Sequence, residues 1–166
     1  MQALISHITW KHEKITIFGK KVLQPRLTAY YGNPGKPYAY SHISLDPNPW
    51  TNDLLFIKNS IEDISGHRFT SVLLNYYRDG HDSMGWHSDD EKELGINPVI
   101  GSVSFGASRK FMFKHKKDKT LKSSIMLENG SLLLMQGATQ HHWQHQIPKT
   151  KKPLGARINL TFRKII

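Results

Sequence analysis

The stretch Arg157-Ile158-Asn159-Leu160-Thr161-Phe162-Arg163, near the end of the chain, alternates strictly between polar and apolar side chains. Because successive side chains of a β-strand point to opposite faces, this alternation predicts a strand with one apolar and one polar face. We expect the apolar face to pack against the core. The polar face carries two guanidinium groups, and burying like charges is costly unless an anion meets them. The stretch therefore indicates either a buried site for an anion such as a dicarboxylate or an exposed basic edge strand.

Further short runs rich in strand-forming residues precede this stretch, separated by turns rich in Gly, Pro and Lys. The predicted strands cover residues 71–77, 99–105, 110–113, 131–135 and 140–146. The first 45 residues are also rich in β-formers and turn residues. Several short strands with turns between them favour an antiparallel sandwich or barrel over repeated strand–helix–strand units.

One segment has helical rather than strand periodicity. Apolar residues recur at roughly helical spacing over about residues 49–65, which predicts one helix there. Asn48 followed by Pro49 is typical of an N-cap and a first helical residue, and Gly66 is a typical C-terminal stop. We expect this helix to lie against one face of the sheets.

Composition limits the classes of protein to which the chain can belong. Its 166 residues suit one domain, and the absence of cysteine excludes disulfide scaffolds, thiolate zinc sites, iron–sulfur clusters and cysteine nucleophiles. The net charge of +10 indicates a polyanionic partner such as a nucleic acid, although solvated loops would carry it equally well. No apolar run approaches the roughly 20 residues of a membrane span, and no secretory signal is visible. We therefore expect an intracellular protein without membrane association, in the cytoplasm of a bacterium or the nucleus of a eukaryote.

With ten histidines and no cysteine, a transition-metal site must use imidazole and carboxylate ligands. In His87-Ser88-Asp89, residues two apart point to the same side of an extended chain, so one imidazole and one carboxylate can converge on one ion. His141, His142 and His145 lie on one predicted strand, where His141 and His145 share a face. Two histidines and one carboxylate leave open positions on an ion, as in non-haem Fe(II) oxygenases. A polar turn would produce the same short motif without a metal.

Five motifs occur in order along the chain. They are Asn75-Tyr76-Tyr77, His87-Ser88-Asp89-Asp90-Glu91, Ser102-Val103-Ser104-Phe105-Gly106-Ala107-Ser108-Arg109, Gly130-Ser131-Leu132-Leu133 and the stretch over residues 157–163. Together they resemble the AlkB family, the Fe(II)- and 2-oxoglutarate-dependent dioxygenases that dealkylate nucleic acids. The resemblance covers about residues 15–165, and it is greatest to the branch that contains the eukaryotic homologue acting on double-stranded DNA.

The resemblance implies a mostly β (α+β) fold with a double-stranded β-helix (jelly-roll) core, an N-terminal nucleotide-recognition lid and one or two flanking helices. The strand-rich pattern of the second half of the chain agrees with it. Within a single domain over residues 1–166, it implies a lid and finger region over about residues 1–48. It also implies a supporting helix over about residues 49–66 and a catalytic core over about residues 67–166.

The iron ligands, which are also the catalytic residues, are implied by the same resemblance. His87, Asp89 and His145 match them in this sequence. His145 is preferred to His141 because it lies twelve residues before Arg157, as the motif of this branch requires.

A clamp for the co-substrate 2-oxoglutarate is also implied. Arg157 and Arg163 match its two cationic residues, and Asn75, Tyr77 and Asn159 match residues in support. Arg157 is expected to hold the distal carboxylate, and Arg163 to lie nearer the metal-bound end.

Recognition of a damaged base is implied at four positions. Tyr40 matches the aromatic residue that stacks on an extruded base, with His87 on the other side of that base. Tyr38 and Glu91 match residues that read the polar edge of the base, where Glu91 would favour a cationic methylated base. Core packing in a lid strand is the alternative for the two tyrosines.

A finger that fills the gap left by the flipped base is implied near the N-terminus. Phe18 and Gly19, within Phe18-Gly19-Lys20, match this finger, and the phenylalanine would supply the filling ring. An ordinary hairpin tip is the alternative.

The function implied is oxidative demethylation of DNA bases of the 1-methyladenine and 3-methylcytosine type, which is direct-reversal repair of alkylation damage. It would use Fe(II), 2-oxoglutarate and O2, and release formaldehyde, succinate and CO2. Alkylated DNA is the expected partner, with duplex favoured and single strands possible, and the protein is expected to be a monomer. Alternatives are an oxygenase acting on RNA or on a protein side chain, and a basic nucleic-acid-binding module without catalysis. The net charge favours nucleic acid over protein, and the complete iron and co-substrate set argues against a non-catalytic module.

Overall fold

Antiparallel strands make up most of the regular structure in the computed structural model. The structure describes residues 1–17, 19–35, 38–40 and 43–166. For residues 16–17, 38–40 and 43–45 it describes the backbone alone. In chain order the elements are α1 (Gln2–His7), β1 (Lys14–Ile17), β2 (Lys20–Leu23), β3 (Leu27–Gly32), β4 (Tyr38–Tyr40), β5 (Ile43–Leu45), α2 (Asn52–Ser65), β6 (Ser71–Tyr77), β7 (Met84–His87), a 3-10 helix (Lys92–Leu94), β8 (Ile100–Gly106), β9 (Arg109–His115), β10 (Lys122–Leu127), β11 (Leu132–Met135), α3 (Thr139–His142), β12 (Trp143–Ile147) and β13 (Arg157–Arg163).

Two larger antiparallel sheets form the core of the fold. The major sheet has the strand order β11-β8-β13-β6-β3, and the minor sheet has the order β10-β9-β12-β7. In the major sheet Asn159 of β13 lies opposite Asn75 of β6 on one side and Ser104 of β8 on the other. In the minor sheet His145 of β12 lies opposite His87 of β7. From β6 to β13 the chain passes repeatedly between the two sheets, which confirms the expected double-stranded β-helix.

Buried apolar side chains form two layers. One layer lies between the major sheet and the helices, and it includes Leu54 and Ile61 of α2 together with Phe162 of β13. The other layer lies between the two sheets, and it includes Leu73 of β6 and Phe111 of β9. The major sheet is therefore covered on both of its faces.

Strand β13 has the two faces that its sequence predicts, and both faces are buried. Ile158, Leu160 and Phe162 are each 0% exposed in the layer against the helices. Arg157 and Arg163 are 0% and 3% exposed on the opposite face. Because β13 is the central strand of the major sheet, it is not the exposed basic edge that the sequence left open.

Helix α2 ends where the sequence predicts but begins later. Gly66 ends it in the left-handed conformation, at φ 72°. The N-cap is Thr51, whose hydroxyl accepts a hydrogen bond from the backbone N–H of Leu54 at 3.3 Å. The prediction of Asn48 as N-cap is wrong, because its backbone N–H and side-chain Nδ2 both donate to the carbonyl of Tyr30 in β3, at 3.0 and 2.9 Å. None of the helices in the described ranges is long and apolar enough to cross a membrane.

The predicted strands agree with the structure best where the apolar pattern is strongest. Those over residues 71–77 and 157–163 coincide with β6 and β13. The strand predicted over residues 140–146 is wrong in its first part, because a helical turn, α3, occupies Thr139–His142. Strand β10 was not predicted, because five of its six residues are exposed and give no buried alternation. Helix α1 was not predicted either.

Two small hairpins precede α2. In the first, β1 pairs with β2, and its turn contains Gly19 at φ 76°, a conformation that glycine adopts at no steric cost. In the second, β4 pairs with β5, with Tyr38 opposite Leu45 and Tyr40 opposite Ile43. Phe18 lies outside the described residues.

Candidate metal centre and active site

A cleft opens between the two sheets and is lined by side chains from both. The lining residues are Asn75, Tyr77, Met84, His87, Asp89, Ser102, Phe111, Met135, His145, Ile147, Asn159, Thr161 and Arg163. They include every residue that the sequence suggested for the metal and the co-substrate except Arg157.

Within the described residues, His87, Asp89 and His145 are the one group of His, Cys, Asp or Glu side chains close enough to hold a metal ion. One ligand atom of each lies within 4.8 Å of the others. Nε2 of His87 is 4.0 Å from Oδ1 of Asp89, and Nε2 of His145 is 3.9 Å from Oδ2. The end of β7 supplies the first residue, the loop after it the second, and β12 the third. Two imidazole nitrogens and one carboxylate are the ligand set of non-haem Fe(II) oxygenases.

The two imidazole rings are oriented by different neighbours. Nδ1 of His87 donates to the carbonyl of Gly85 at 2.9 Å, which leaves the Nε2 lone pair for a ligand. The His145 ring stacks on Phe111 with ring centroids 5.1 Å apart, and meets His87 edge-on at 4.3 Å. Burial lowers the pKa of both imidazoles, that of His145 to about 3. Both rings are therefore neutral at neutral pH, the form that binds metal.

The carboxylate of Asp89 is buried and paired with an arginine. Its Oδ1 accepts a hydrogen bond from Nη2 of Arg163 at 2.7 Å. Burial alone would raise the pKa of this carboxyl, but the Arg163 guanidinium, together with His87 and His145, outweighs burial and lowers the pKa to about 2. Asp89 is therefore ionised throughout the neutral range and available as an anionic ligand.

Arg157 does not line the cleft but contacts residues that do. Its Nη2 donates to Oγ of Ser104 at 2.9 Å and to Oδ1 of Asn159 at 2.7 Å. Its guanidinium carbon lies 5.2 Å from the ring centroid of Tyr77. Nε and Nη1 of Arg157 have no hydrogen-bond partner among the described residues. A fully buried cation with unused donors favours an anion at this position.

Hydrogen bonds fix the two asparagines of the site. Oδ1 of Asn159 accepts from Ser102 Oγ at 3.0 Å, and its Nδ2 donates to Thr161 Oγ1 at 2.8 Å. Oδ1 of Asn75 accepts from Nε of Arg26 at 2.7 Å. Because Arg26 engages the oxygen of that amide, the Nδ2 group is the end of Asn75 left for a ligand.

Apart from His87, the residues suggested for base recognition lie on other elements than the metal ligands. Glu91 is half-buried at the start of the 3-10 helix, two residues after Asp89, and it is not a lining residue of the cleft. Gly19 forms the turn between β1 and β2. Tyr38 and Tyr40 occupy the two ends of β4.

His141 and His142 lie outside the metal cluster. The expectation that His141 shares a strand face with His145 is wrong, because α3 turns the chain and leaves both earlier histidines exposed. The ring of His142 stacks instead on that of His115, with centroids 5.9 Å apart. The structure thus brings His145, and not His141, to His87 and Asp89.

Sequence reasoning missed several residues that shape the site. Among these, Thr161 could have been found, because the alternation of β13 places it on the polar face with the arginines. No signal in the sequence marks the others, because they reach the site through pairing between distant strands. These others are Arg26, Met84, Phe111, Met135 and Ile147, whereas Ser102 opens one of the family motifs.

Known proteins resemble this chain over nearly its whole length. The family model described as "2OG-Fe(II) oxygenase superfamily" matches residues 1–163. Alpha-ketoglutarate-dependent dioxygenase alkB homolog 3 of Bos taurus is 45% identical over 173 residues, which are 99% of this chain and 60% of that protein. DNA oxidative demethylase ALKBH2 of Mus musculus is 40% identical over 169 residues, which are 98% of this chain and 71% of that protein.

A solved structure, titled "The structure of OsALKBH1", matches the fold with a TM-score of 0.67 at 17% identity, covering 98% of this chain and 90% of that one. The chain spans about 60% of the length of the alkB homolog 3 relative. Superfamily members use Fe(II), 2-oxoglutarate and O2, and the His87, Asp89 and His145 cluster fits iron binding. By its match over residues 1–163 and its identity to these relatives, the chain belongs to the 2OG-Fe(II) oxygenase superfamily and, within it, to the AlkB homologues.

Proposed function

We propose that the chain carries the active site of an Fe(II)- and 2-oxoglutarate-dependent dioxygenase that demethylates N-alkylated bases in DNA. The observation that carries the proposal is the convergence of His87, Asp89 and His145 in one cleft with Arg163 and the polar face of β13. The superfamily match supports it, and so does the name DNA oxidative demethylase that the ALKBH2 relatives bear.

The three proposed ligands fit Fe(II) by their chemistry. Two neutral imidazole nitrogens and one ionised carboxylate leave positions for a co-substrate and O2. When bound, Fe(II) with 2-oxoglutarate and O2 supplies the oxidation of the N-methyl group, which leaves as formaldehyde while 2-oxoglutarate ends as succinate and CO2. Arg163 keeps the Asp89 carboxylate oriented, and the Gly85 carbonyl keeps His87 in the tautomer that binds metal.

The co-substrate is a dianion and requires cationic partners. Arg157 binds its distal carboxylate, because Nε and Nη1 of this buried guanidinium are unused within the described residues. Arg163 lies nearer the metal-bound end, because it already contacts the ligand Asp89. Neutral hydrogen bonds come from Asn75, Tyr77 and Asn159.

The damaged base is held between Tyr40 and His87, with Tyr38 and Glu91 at its polar edge. An enzyme that acts on a base must take it out of the stack, and aromatic contact on both of its sides offsets part of that cost. The His87 side chain is 26% exposed, so the metal cluster is reachable from outside the cleft. The Glu91 carboxylate favours cationic bases such as 1-methyladenine and 3-methylcytosine.

Duplex DNA is the proposed polymer. The finger at Phe18 and Gly19 would fill the gap that a flipped base leaves in a duplex. Exposed lysines that can contact phosphates cluster in the turn between β9 and β10 and in the loop before β13. They are Lys117, Lys119, Lys149, Lys151 and Lys152.

Three segments divide this work within a single domain. Residues up to about 48 form the lid and finger, residues of about 49–66 the supporting helix, and residues of about 67–166 the catalytic core. The protein acts as a monomer on genomic DNA, and therefore in the cytoplasm of a bacterium or the nucleus of a eukaryote.

Succinate and formaldehyde release by the purified protein, with Fe(II) and 2-oxoglutarate, tests the proposal. The substrates compared are methylated DNA duplex, the same methylated single strand, methylated RNA and unmethylated duplex. We expect methylated DNA to stimulate the release of both products and Asp89→Ala to remove it. Stimulation by methylated RNA alone would favour an RNA oxygenase. Tight DNA binding without succinate under every condition would reduce the chain to a binding module.

A further inference from the structure

Asp89 is the one proposed ligand that lies outside the strand ladder. His87 and His145 end up side by side because β7 and β12 pair in register. Asp89 lies in the irregular loop after β7, where no ladder hydrogen bond positions its backbone. Something other than sheet pairing must therefore hold this carboxylate at the correct distance from the two rings.

Gln140 makes the contact that holds the Asp89 backbone. Its side chain is 0% exposed, and its Oε1 accepts a hydrogen bond from the backbone N–H of Asp89 at 2.9 Å. The Nε2 end of the same amide donates to the sulfur of Met135, a lining residue of the cleft, at 3.6 Å. Because both ends of the amide are engaged, its orientation is fixed with the oxygen toward Asp89.

Two neighbouring contacts tie the same loop to the same segment. Oγ of Ser88 donates to the carbonyl of Trp143 at 2.9 Å. Nζ of Lys116 bridges Oδ2 of Asp90 at 3.0 Å and the carbonyl of Gln140 at 2.8 Å. The loop is thus attached at three successive residues to α3 and the start of β12, and the central contact is the buried one.

We infer that Gln140 is a positioning residue for the Asp89 ligand: it joins the loop that carries the carboxylate to the segment that carries His145. The inference rests on the proposed metal centre. Gln140 restrains the main chain of Asp89, while Arg163 restrains its carboxylate at 2.7 Å. Without the Gln140 acceptor, the buried Asp89 N–H loses its partner, and within the described residues the main chain of the loop is then held only by the contacts of its neighbours Ser88 and Asp90. Residues that orient metal ligands in this way commonly contribute 10–100-fold to metal affinity.

Binding of Mn(II), which does not oxidise in air, tests the inference in the intact chain by calorimetry with and without 2-oxoglutarate. In Gln140→Met the side chain keeps its approximate size and loses the acceptor oxygen. We expect Mn(II) to bind this variant about 10-fold more weakly than the wild type. The matched control is Gln146→Met. Like Gln140, Gln146 donates from Nε2 to a methionine sulfur, that of Met112, at 3.6 Å, but the Gln146 side chain does not contact the Asp89 loop. The control should bind Mn(II) as the wild type does.

Two further variants separate positioning from a general effect on folding. Gln140→Glu keeps an oxygen at the same distance along the side chain and should restore most of the Mn(II) affinity. Gln140→Asn keeps the amide but is one methylene too short, and it should bind as weakly as the Met variant. These two variants test the role of Gln140 even if Gln140→Met does not fold, because both keep a hydrogen-bonding side chain and only Gln140→Glu keeps the reach to the Asp89 N–H.

Each outcome has a distinct meaning. Wild-type affinity in Gln140→Met or Gln140→Asn overturns the role of Gln140 and leaves the proposed metal centre intact. Equal weakening in Gln140→Glu and Gln140→Asn also overturns it, because the acceptor would then not matter. If His145→Ala binds Mn(II) as tightly as the wild type, the metal centre itself is wrong, and the inference fails with it.

Discussion

At the scale of single residues, burial and charge set the protonation state of the site. Burial lowers the pKa of His145 to about 3, so this imidazole is a free base at neutral pH. The Asp89 carboxyl, although buried, is held ionised by Arg163. No proton therefore has to leave either group when a cation binds between pH 6 and 8.

Removal of a single proposed ligand should abolish turnover. In His87→Ala, Asp89→Ala or His145→Ala we expect no succinate above background, because each substitution deletes one of three ligand atoms. Calorimetric titration with Mn(II) and the succinate assay together measure this loss.

The control for this prediction is the pair of histidines on α3. His141→Ala and His142→Ala should keep metal and activity, because both side chains are exposed and outside the cluster. Loss of metal in His141→Ala with retention in His145→Ala would show that the third ligand is misassigned.

Co-substrate binding should depend on the forked geometry of Arg157. Arg157→Lys keeps the charge but not the planar set of donors, and we expect it to raise the 2-oxoglutarate concentration needed for half-maximal activity. Arg157→Ala should nearly eliminate activity, because a buried carboxylate would have no cation to meet. Titration of 2-oxoglutarate in the presence of Mn(II) measures the affinity directly. Unchanged affinity in Arg157→Ala would reduce this arginine to a structural residue.

At the scale of elements, the buried Glu62 joins the end of α2 to the start of β6. Its carboxylate accepts hydrogen bonds from the Phe69 N–H at 2.7 Å and from Arg68 Nη1 at 2.8 Å, and Nζ of Lys58 lies 2.9 Å away. Burial would raise the pKa of Glu62, but these hydrogen bonds outweigh it and lower the pKa. This contribution to stability is therefore present above the ordinary carboxyl pKa and is lost as the pH falls through the lowered value.

We expect Glu62→Gln to lower the free energy of unfolding by about 1–3 kcal/mol at pH 7, because two charge-assisted hydrogen bonds and an ion pair are weakened. The difference from the wild type should shrink as the pH falls below the ordinary carboxyl pKa and through the lowered pKa of the native Glu62 carboxylate. Urea denaturation at pH 7 and at lower pH measures both effects. The exposed neighbour Asp63 provides the control Asp63→Asn, which should change stability little. A pH-independent difference would mean that the Glu62 charge is not involved.

At the scale of the whole molecule, we propose that the N-terminal finger sets the preference between duplex and single-stranded DNA. Because an apolar wedge is needed only where a flipped base leaves a gap, Phe18→Ala should depress repair of methylated duplex far more than repair of the same methylated single strand. Formaldehyde release from the two substrates at equal concentration measures the ratio. Equal losses on both substrates would remove the main argument for a duplex-acting enzyme.

Two exposed lysines after the finger allow the effect of phosphate contacts to be measured separately from the effect of the Phe18 wedge. Lys20 and Lys21 on β2 can meet phosphates but carry no information about the lesion. Lys20→Ala with Lys21→Ala should weaken binding to both substrates and make affinity less dependent on salt. A loss of binding confined to the duplex would mean that these lysines, like the Phe18 wedge, act only on duplex DNA.

Prediction from sequence worked for elements with a strong local pattern and failed where long-range packing decided. The alternation over residues 157–163 and the apolar run over residues 71–77 gave both strands with their observed bounds. The helix N-cap was misplaced because Asn48 pairs with β3, a contact that its neighbours in sequence do not reveal. Residues 140–142 were wrongly predicted as strand because their polar side chains provide no clear pattern, and the helical turn that contains them leads directly into β12.

The sequence by itself determined the strand pattern, the ligand types, the charge and the motifs of the family, because alternation and motif spacing are properties of neighbouring residues. The spacing of the family motif already favoured His145 over His141 as the partner of His87 and Asp89. Only the tertiary structure decided that both faces of β13 are buried. It also decided that Asp89 meets Gln140 across 51 residues and Arg163 across 74. The physical reason is that these contacts depend on how distant strands pair and how two sheets face each other, and no local pattern encodes that arrangement.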